Sequence, residues 1–305
     1  DLGFGARIGS HFQTSERTGL YLNYALENER ADTGLRIRKG NLVSGVKRRL
    51  SDSSSVYLEE RYQNGGSLTG LTHAAGINLV TRERWTLGGN AELGTLHSWR
   101  TGAETDRLAA GVQVSMHTGD WQLSSGVEYR NDDVEQLDLT RNERETWLFR
   151  NNLKFQLTPS SRLFGKLNYA DSTSSQGTFF DGGYTEAVFG YALRPVGNDR
   201  LNTVAKYTYF YNVPTTGQVG GQNLASEFVQ KSHIAALDVT YDVTSKLTLG
   251  AKYAYRLGQI SLDREDPEFF DNNASLYVLR GDYRFRENWE VLLEGRMLSM
   301  TDIDE

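Results

Sequence analysis

The chain has no cysteine and little proline or methionine, with 4 Pro and 3 Met among 305 residues. Without cysteine there can be no disulfide scaffold, Cys-ligated metal centre or thiol nucleophile. No run approaches the ~18 apolar residues of a transmembrane helix, and the N-terminus lacks the basic-then-apolar pattern of a signal peptide. The net charge of −6 lacks the basic surplus of a nucleic-acid-binding protein, so no nucleic-acid partner is expected.

Motifs of the common enzyme classes are also missing from the sequence. There is no HExxH, GxSxG, P-loop or dinucleotide fingerprint, and the acidic segment Leu262–Asn273 lacks EF-hand spacing. The five histidines are scattered along the chain, at His11, His73, His97, His117 and His233. The sequence therefore predicts a protein that is not an enzyme, with no catalytic residue, no cofactor and no metal site.

Strict alternation of apolar and polar residues takes the place of helical periodicity. In 121–130, Trp121, Leu123, Val127 and Tyr129 alternate with polar or small residues, and 85–94, 247–257 and 277–286 repeat the pattern. Each run holds for ~10 residues, against ~5–6 in an ordinary strand. Ten residues is the length that a tilted strand needs to cross a bilayer. The pattern favours a membrane barrel, with its apolar face outward and its polar face inward.

Short and long connections alternate between these strands. Segments such as His117–Trp121 and Thr158–Leu163 are short and rich in turn formers, whereas Asn131–Glu145, Asn212–Lys231 and Gln259–Asn273 are long and polar. The resulting hairpins recur every 29 to 46 residues. A propeller of similar period needs four short strands per repeat, and only two long ones fit. Short turns on one rim and long loops on the other are typical of outer-membrane barrels, with the short turns periplasmic.

Tryptophan is concentrated at the ends of the predicted strands. Trp85, Trp121 and Trp289 directly follow short turns, whereas Trp99 and Trp147 lie near long loops. Tryptophan prefers the membrane–water interface, where its ring is half wet. These five residues are therefore predicted to form two interfacial aromatic bands.

Together these features resemble a Gram-negative outer-membrane β-barrel, and in particular the barrel portion of a larger outer-membrane or surface protein. The resemblance implies an all-β, antiparallel up-and-down transmembrane barrel over residues 1–305, as a single domain in the outer membrane. About sixteen strands are visible. Both chain ends would then lie on the extracellular side, and the closing strand with a terminal aromatic residue is missing. We therefore expect a barrel of 18 or more strands, with strands absent at one or both ends. The expected partners are the lipid bilayer, lipopolysaccharide and additional domains or strands; the oligomeric state stays open.

The polar face of the strands predicts the lining of the lumen. Cations outnumber anions on this face, although the whole chain is acidic. The candidate pore-lining residues are Arg150, Lys154, Lys166, Arg194, Lys206, Lys252, Arg256, Arg280, Arg284, Glu92, Glu128 and Asp238. Fixed cations raise the local anion concentration, so one hypothesis is a porin-like, water-filled channel for small solutes with an anion preference. A salt-bridged structural network is the alternative role of these charges.

Two other functions stay open at this point. A non-conducting membrane anchor or an export barrel of a larger surface protein would carry a plugged lumen or an attached domain. A soluble all-β binding protein would have no membrane role.

Overall fold

A computed structural model describes residues 5–30, 36–65, 69–81, 84–98, 101–178, 181–213, 228–286 and 289–300. The described chain consists of strands joined by turns and loops. The strands are β1 (Ala6–Ser15), β2 (Thr18–Arg30), β3 (Arg36–Ser51), β4 (Ser54–Gly65), β5 (Thr69–Thr81), β6 (Trp85–His97), β7 (Glu104–His117), β8 (Trp121–Glu135), β9 (Arg141–Thr158), β10 (Ser161–Ser174), β11 (Gly182–Leu193), β12 (Leu201–Val213), β13 (Val229–Asp242), β14 (Leu247–Ser261), β15 (Phe270–Asp271), β16 (Ala274–Arg286) and β17 (Trp289–Met300).

Each long strand pairs antiparallel with the next one in sequence, from β1 through to β17. The two-residue β15 pairs with the C-terminal end of β14, and β14 pairs with β16 along the rest of its length. All seventeen strands belong to one sheet. The predicted all-β, up-and-down architecture is confirmed, with sixteen long strands and one short addition. No helix long and apolar enough to cross a membrane occurs among the described residues.

The alternation in sequence becomes a two-faced sheet because successive side chains of a strand point to opposite sides. In β8, Val127 pairs with Phe149 of β9, and Tyr129 pairs with Trp147, so these apolar side chains share one face. The intervening Glu128 lies on the opposite face. Because residues paired in register share a face, this assignment carries from β8 to every other strand.

Several strands extend beyond their predicted ends at the long-loop rim. Residues 131–145 are predicted as a loop, but β8 and β9 pair through most of this segment, and only 136–140 connect them. The prediction is wrong here because polar composition was taken as a loop signal. Cross-strand contacts stabilise the polar ladder instead: Asn131 donates to Glu143 at 2.8 Å, and Arg141 donates to Glu135 at 3.0 Å.

The sheet has almost no apolar core of its own. Buried hydrophobic residues of the described chain are few and mostly small, namely Ala74, Leu96, Ala103, Ala109 and Val229. Large side chains of the apolar face, the face that carries Val127 and Phe149, are exposed instead: Val112 is 65% exposed and Leu279 is 69% exposed. A soluble sandwich would cover such a face with a second sheet, and the described residues form one sheet only. The exposed apolar face matches the lipid-facing wall of a transmembrane barrel.

The first and last strands are both edges within the described chain. Strand β1 pairs only with β2, and β17 pairs only with β16. Every residue of both strands is exposed. Unpaired edges are costly in a bilayer, where no water satisfies the free backbone groups.

Candidate ligand-facing wall of the barrel

Side-chain contacts that pass over an intervening strand identify the concave face of the sheet. The Tyr21 hydroxyl of β2 donates to Glu59 of β4 at 2.5 Å, passing over Gly45 of β3. Arg61 of β4 donates to Glu92 of β6 at 2.8 Å, passing over β5. Both contacts lie on the polar face. The polar face is therefore the inner face of the curved sheet.

Charges on the inner face of β1 to β8 are largely paired. Arg7 contacts Glu27 at 2.6 Å, and Arg130 contacts Glu128 at 2.8 Å. Arg107 donates through two nitrogen atoms to the two carboxylate oxygens of Asp132, at 2.7 and 3.1 Å, and both side chains are mostly buried. Such charge-assisted pairs fix side-chain positions, so most cations of this half have a carboxylate partner; Lys47 and Arg49, near the short-turn end of β3, form no ion pair with a described residue.

The inner face of β9 to β12 has a different charge pattern. The one carboxylate there, Glu186, accepts hydrogen bonds from Lys166 at 2.8 Å, Tyr184 at 2.9 Å and Asn168 at 3.2 Å. Five further cations of these strands and the turn after β11 are exposed, and none forms an ion pair with a carboxylate of the described residues. We call this set the cationic wall; it consists of Arg150, Lys154, Arg162, Arg194 and Lys206.

The cationic wall surrounds an aromatic ring. Phe164 lies directly opposite Lys154, and Gly190 lies directly opposite Lys206. The Phe164 ring lies over Gly190, where the Cβ of any other residue would overlap the ring. Glycine therefore lets the ring lie between two of the lysines. The wall offers a ligand both positive charge and an apolar ring.

Eleven of the twelve predicted lining residues lie on the inner face by register, and Arg194 follows the last residue of β11. Five are held in ion pairs: Glu92, Glu128, Lys166, Arg280 with Asp282, and Arg284 with Glu290. Arg256 donates to Asn272 at 2.5 Å, and Lys252 lies opposite Asp238 in the adjacent strand. Arg150, Lys154, Arg194 and Lys206 belong to the cationic wall. That these residues line a pore stays a prediction.

Sequence reasoning missed Arg162, the fifth member of the wall. The alternation of the strand could have identified it, because the even-numbered residues Arg162, Phe164 and Lys166 share one face of β10. The position directly follows a short turn, where strand boundaries are hardest to predict.

The predicted interfacial tryptophans that can be described lie on the outer face: Trp121 begins β8, and Trp147 is the seventh residue of the eighteen-residue β9. Trp121 stacks on Phe155 with ring centroids 4.1 Å apart, and Trp147 contacts Tyr129 at 4.9 Å. The two clusters are eight residues apart along β8, or about 26 Å along the strand; at the ~35–45° tilt of barrel strands this is a height of roughly 19–22 Å, somewhat less than the ~25 Å apolar band of outer-membrane barrels. Trp85 and Trp289 begin β6 and β17. Trp99 lies outside the described residues.

No group of three or more histidine, aspartate or glutamate side chains that could hold a metal ion occurs in the part of the chain that the structure describes.

The sequence matches no family model and no curated protein, but solved structures share the fold. The chain is similar to the copper transporter OprC (TM-score 0.58, 11% identity), covering 98% of this chain and 58% of OprC. It is similar to the ferric-catecholate import receptor Fiu from E. coli K12 (TM-score 0.58, 12% identity), covering 99% of this chain and 65% of Fiu. It is also similar to the FrpB iron transporter from Neisseria meningitidis (TM-score 0.61, 11% identity), covering 97% of this chain and 60% of FrpB.

The chain thus spans about three fifths of the length of these receptors and transporters. The predicted outer-membrane β-barrel fold is confirmed, and these neighbours support the predicted location in a Gram-negative outer membrane.

Proposed function

We propose that the chain forms part of the barrel wall of an outer-membrane uptake protein whose lumen attracts an anionic solute. The observation that carries the proposal is the cationic wall, five exposed cations with no carboxylate partner among the described residues. Unpaired fixed cations in a confined space concentrate anions. In ion pairs, such as those of β1 to β8, the two opposite charges largely cancel, so their combined electrostatic attraction for a ligand is weak.

The neighbours favour a receptor-type barrel over an anchor or an export barrel. Their titles describe a copper transporter, a ferric-catecholate import receptor and an iron transporter. They are not enzymes, which supports the prediction that this protein is not an enzyme. Transporter barrels of ~22 strands have a plugged lumen, whereas porins of ~16–18 strands have an aqueous channel. We propose that further strands pair with β1 and β17, which makes the barrel larger than a sixteen-stranded porin.

A porin-like channel with anion preference is the second candidate, favoured by the exposure of the same five cations. Planar-bilayer recording on the full-length protein separates the two. A receptor-type barrel is expected to be electrically silent when inserted and folded. Stable current steps, with a reversal potential shifted toward the anion in a KCl gradient, would identify a porin instead.

The charge of the solute is tested separately by binding of pyranine, a polyanionic dye, to the detergent-solubilised full-length protein. The variant Lys154→Gln/Arg162→Gln/Lys206→Gln is expected to bind the dye at least tenfold more weakly, because three of the five wall cations are gone. Binding to the wild type should also weaken with salt, since the screening length is ~10 Å at 0.1 M.

The matched control is Arg17→Gln/Arg48→Gln/Lys246→Gln, which removes three exposed cations that lie outside the wall. It should bind the dye like the wild type. Equal dye affinity of the wild type and the wall variant would refute the anionic specificity, whatever the bilayer recording shows.

A further inference from the structure

The outer face carries an apolar groove across β11 to β14. Its floor is formed by Ala205 and Ala235, where side chains end at Cβ. Its volume is about 350 Å³, within the usual size range of small-ligand sites. The walls are formed by larger side chains of the same face, namely Phe189, Tyr191, Tyr207, Leu237 and Tyr253.

Basic side chains stand above the groove, toward the long-loop rim. His233 and Lys231 precede Ala235 on the same face of β13, by two and four residues, or up to about 13 Å along the strand. The Tyr207 hydroxyl lies 2.6 Å from His233 Nδ1. Lys231 Nζ lies 3.6 Å from the centre of the Phe269 ring, and Lys231 forms no ion pair with a described residue.

A second cavity of about 390 Å³ lies on the same outer face at the rim. The segment that joins β14 to β16 reaches across to form one side of it, with Arg264 donating to the carbonyl oxygen of Thr178 at 3.4 Å. The cavity is lined by rings and by charged groups of both signs, chiefly Tyr169, Tyr211, Phe269, Arg264, Asp171 and Asp181.

These features stack in the order of an amphipathic molecule: apolar groove, cation, then polar and aromatic cavity. We propose that this outer surface binds one molecule of lipopolysaccharide, with an acyl chain in the groove, a phosphate at Lys231 and His233, and sugars in the cavity. Aromatic rings suit the apolar faces of sugars, and Asp171 and Asp181 can accept bonds from their hydroxyl groups. Lysine at a membrane boundary attracts anionic head groups. The long-loop rim is expected to be extracellular, and lipopolysaccharide occupies the outer leaflet on that side of the membrane.

The test is the amount of lipopolysaccharide that stays with the full-length protein after extensive detergent washing, measured by mass spectrometry of the released lipid A. The wild type should retain about one molecule per chain. Ala235→Phe fills the groove, and Lys231→Gln removes the cation; each is expected to reduce the retained lipid at least fivefold. Ala91→Phe adds the same volume on the outer face of β6, away from the groove, and Lys246→Gln removes an exposed cation from the short turn before β14. Both controls should retain the wild-type amount.

Three outcomes would overturn the proposal. The lipid could stay with Ala235→Phe as with Ala91→Phe. The wild type could retain phospholipid and no lipopolysaccharide. Finally, Ala235→Phe could change the oligomeric state in analytical ultracentrifugation at constant lipid content, which would assign the groove to a second copy of the chain. Heat-modified migration in gels shows that each variant is folded. Pyranine binding is an independent readout, so failure here leaves the proposed uptake function intact.

Discussion

At the scale of single residues, close approach of neighbouring strands makes certain glycines irreplaceable. At Gly70 of β5, an added Cβ would lie 2.7 Å from the Cα of Leu96 and closer still to the carbonyl oxygen of Thr95. These atoms belong to the backbone of β6, so they cannot rotate away. At Gly295 of β17, no atom lies within 4 Å of the added Cβ.

We therefore expect Gly70→Ala to lower the free energy of unfolding by about 1–3 kcal/mol, the usual cost of overpacking. Urea unfolding of the protein refolded in micelles, followed by tryptophan fluorescence, measures the change. Gly295→Ala is the control and should leave the midpoint within error or raise it slightly, since alanine loses less entropy than glycine on folding. A Gly70→Ala midpoint equal to that of Gly295→Ala would contradict the packing argument.

A polar pair on the lipid-facing side shows what alternation in the sequence misses at this scale. Glu60 is out of place on an apolar face by sequence pattern alone. In the structure it contacts His73 of β5 at 2.7 Å, directly across the strand pair. The two residues are 13 positions apart in sequence, so only the register of β4 on β5 reveals the partnership.

At the scale of elements, the connection between β8 and β9 is a compact turn. Leu139 has φ of 64°, in the left-handed region that disfavours branched side chains. Its N–H donates to the carbonyl oxygen of Gln136 at 2.9 Å. The Asp138 carboxylate accepts two hydrogen bonds from Thr140, and these bonds lower the pKa of Asp138 below its ordinary value.

Replacing Leu139 with glycine is expected to stabilise the protein by about 0.5 kcal/mol. The left-handed conformation costs a non-glycine residue ~1–2 kcal/mol, and the added chain entropy offsets ~0.5–1 kcal/mol of that gain. Leu139 is 77% exposed, so little apolar burial is lost. The measurement is the urea midpoint, with Leu137→Gly as the control in the same turn, at a residue without positive φ. If Leu139→Gly destabilises the protein as much as Leu137→Gly does, the strain argument is wrong.

The Asp138 turn also has an expected pH dependence. Because the folded pKa is lowered, the turn is stabilised at pH values above the unfolded pKa of about 3.8 and loses this contribution as the pH falls through the lower, folded pKa. The difference in urea midpoint between wild type and Asp138→Asn should therefore be present at pH 6 and shrink on acidification below pH 4. A difference that is constant from pH 6 to pH 3 would show that the carboxylate charge has no part in the turn.

At the scale of the whole molecule, the size of the barrel depends on what the edges of β1 and β17 face. In an antiparallel sheet, alternate residues direct their backbone groups toward opposite neighbours. Half of the β17 amides therefore point away from β16. The apolar outer residues of β17, such as Leu293 and Met297, suit lipid, but the unpaired amides do not.

If further strands continue the sheet, as we propose, hydrogen exchange of the full-length protein in nanodiscs should be slow at every amide between Val291 and Met297. The reference is β8, where Leu123 to Tyr129 pair with a strand on both sides. Fast exchange of about half of the β17 amides would show that β17 is a true edge in the membrane. That result would also remove the reason for a barrel larger than sixteen strands.

The class of fold follows from the amino-acid pattern alone. Alternation over ten or more residues, as in Trp121 to Arg130, fixes a long two-faced strand because the side-chain period of a strand is two, whatever it pairs with. The alternation also shows which face of each strand is apolar and which is polar, so the placement of Lys154 and Lys206 on the polar face was predictable. Strand ends in polar segments such as 131–145 were not, because a charged strand and a loop have the same composition.

Which of those polar residues have partners depends on the three-dimensional arrangement of the strands. Glu186 of β11 forms an ion pair with Lys166 of the neighbouring β10, whereas Lys206, on the same face of β12, forms no ion pair with a described carboxylate. That distinction depends on register and sheet curvature, which bring together side chains 20 or more positions apart. The groove above Ala235 likewise arises from four strands packed side by side. Local patterning records which face a residue takes, and the distances between residues of different strands are set by the sheet as a whole.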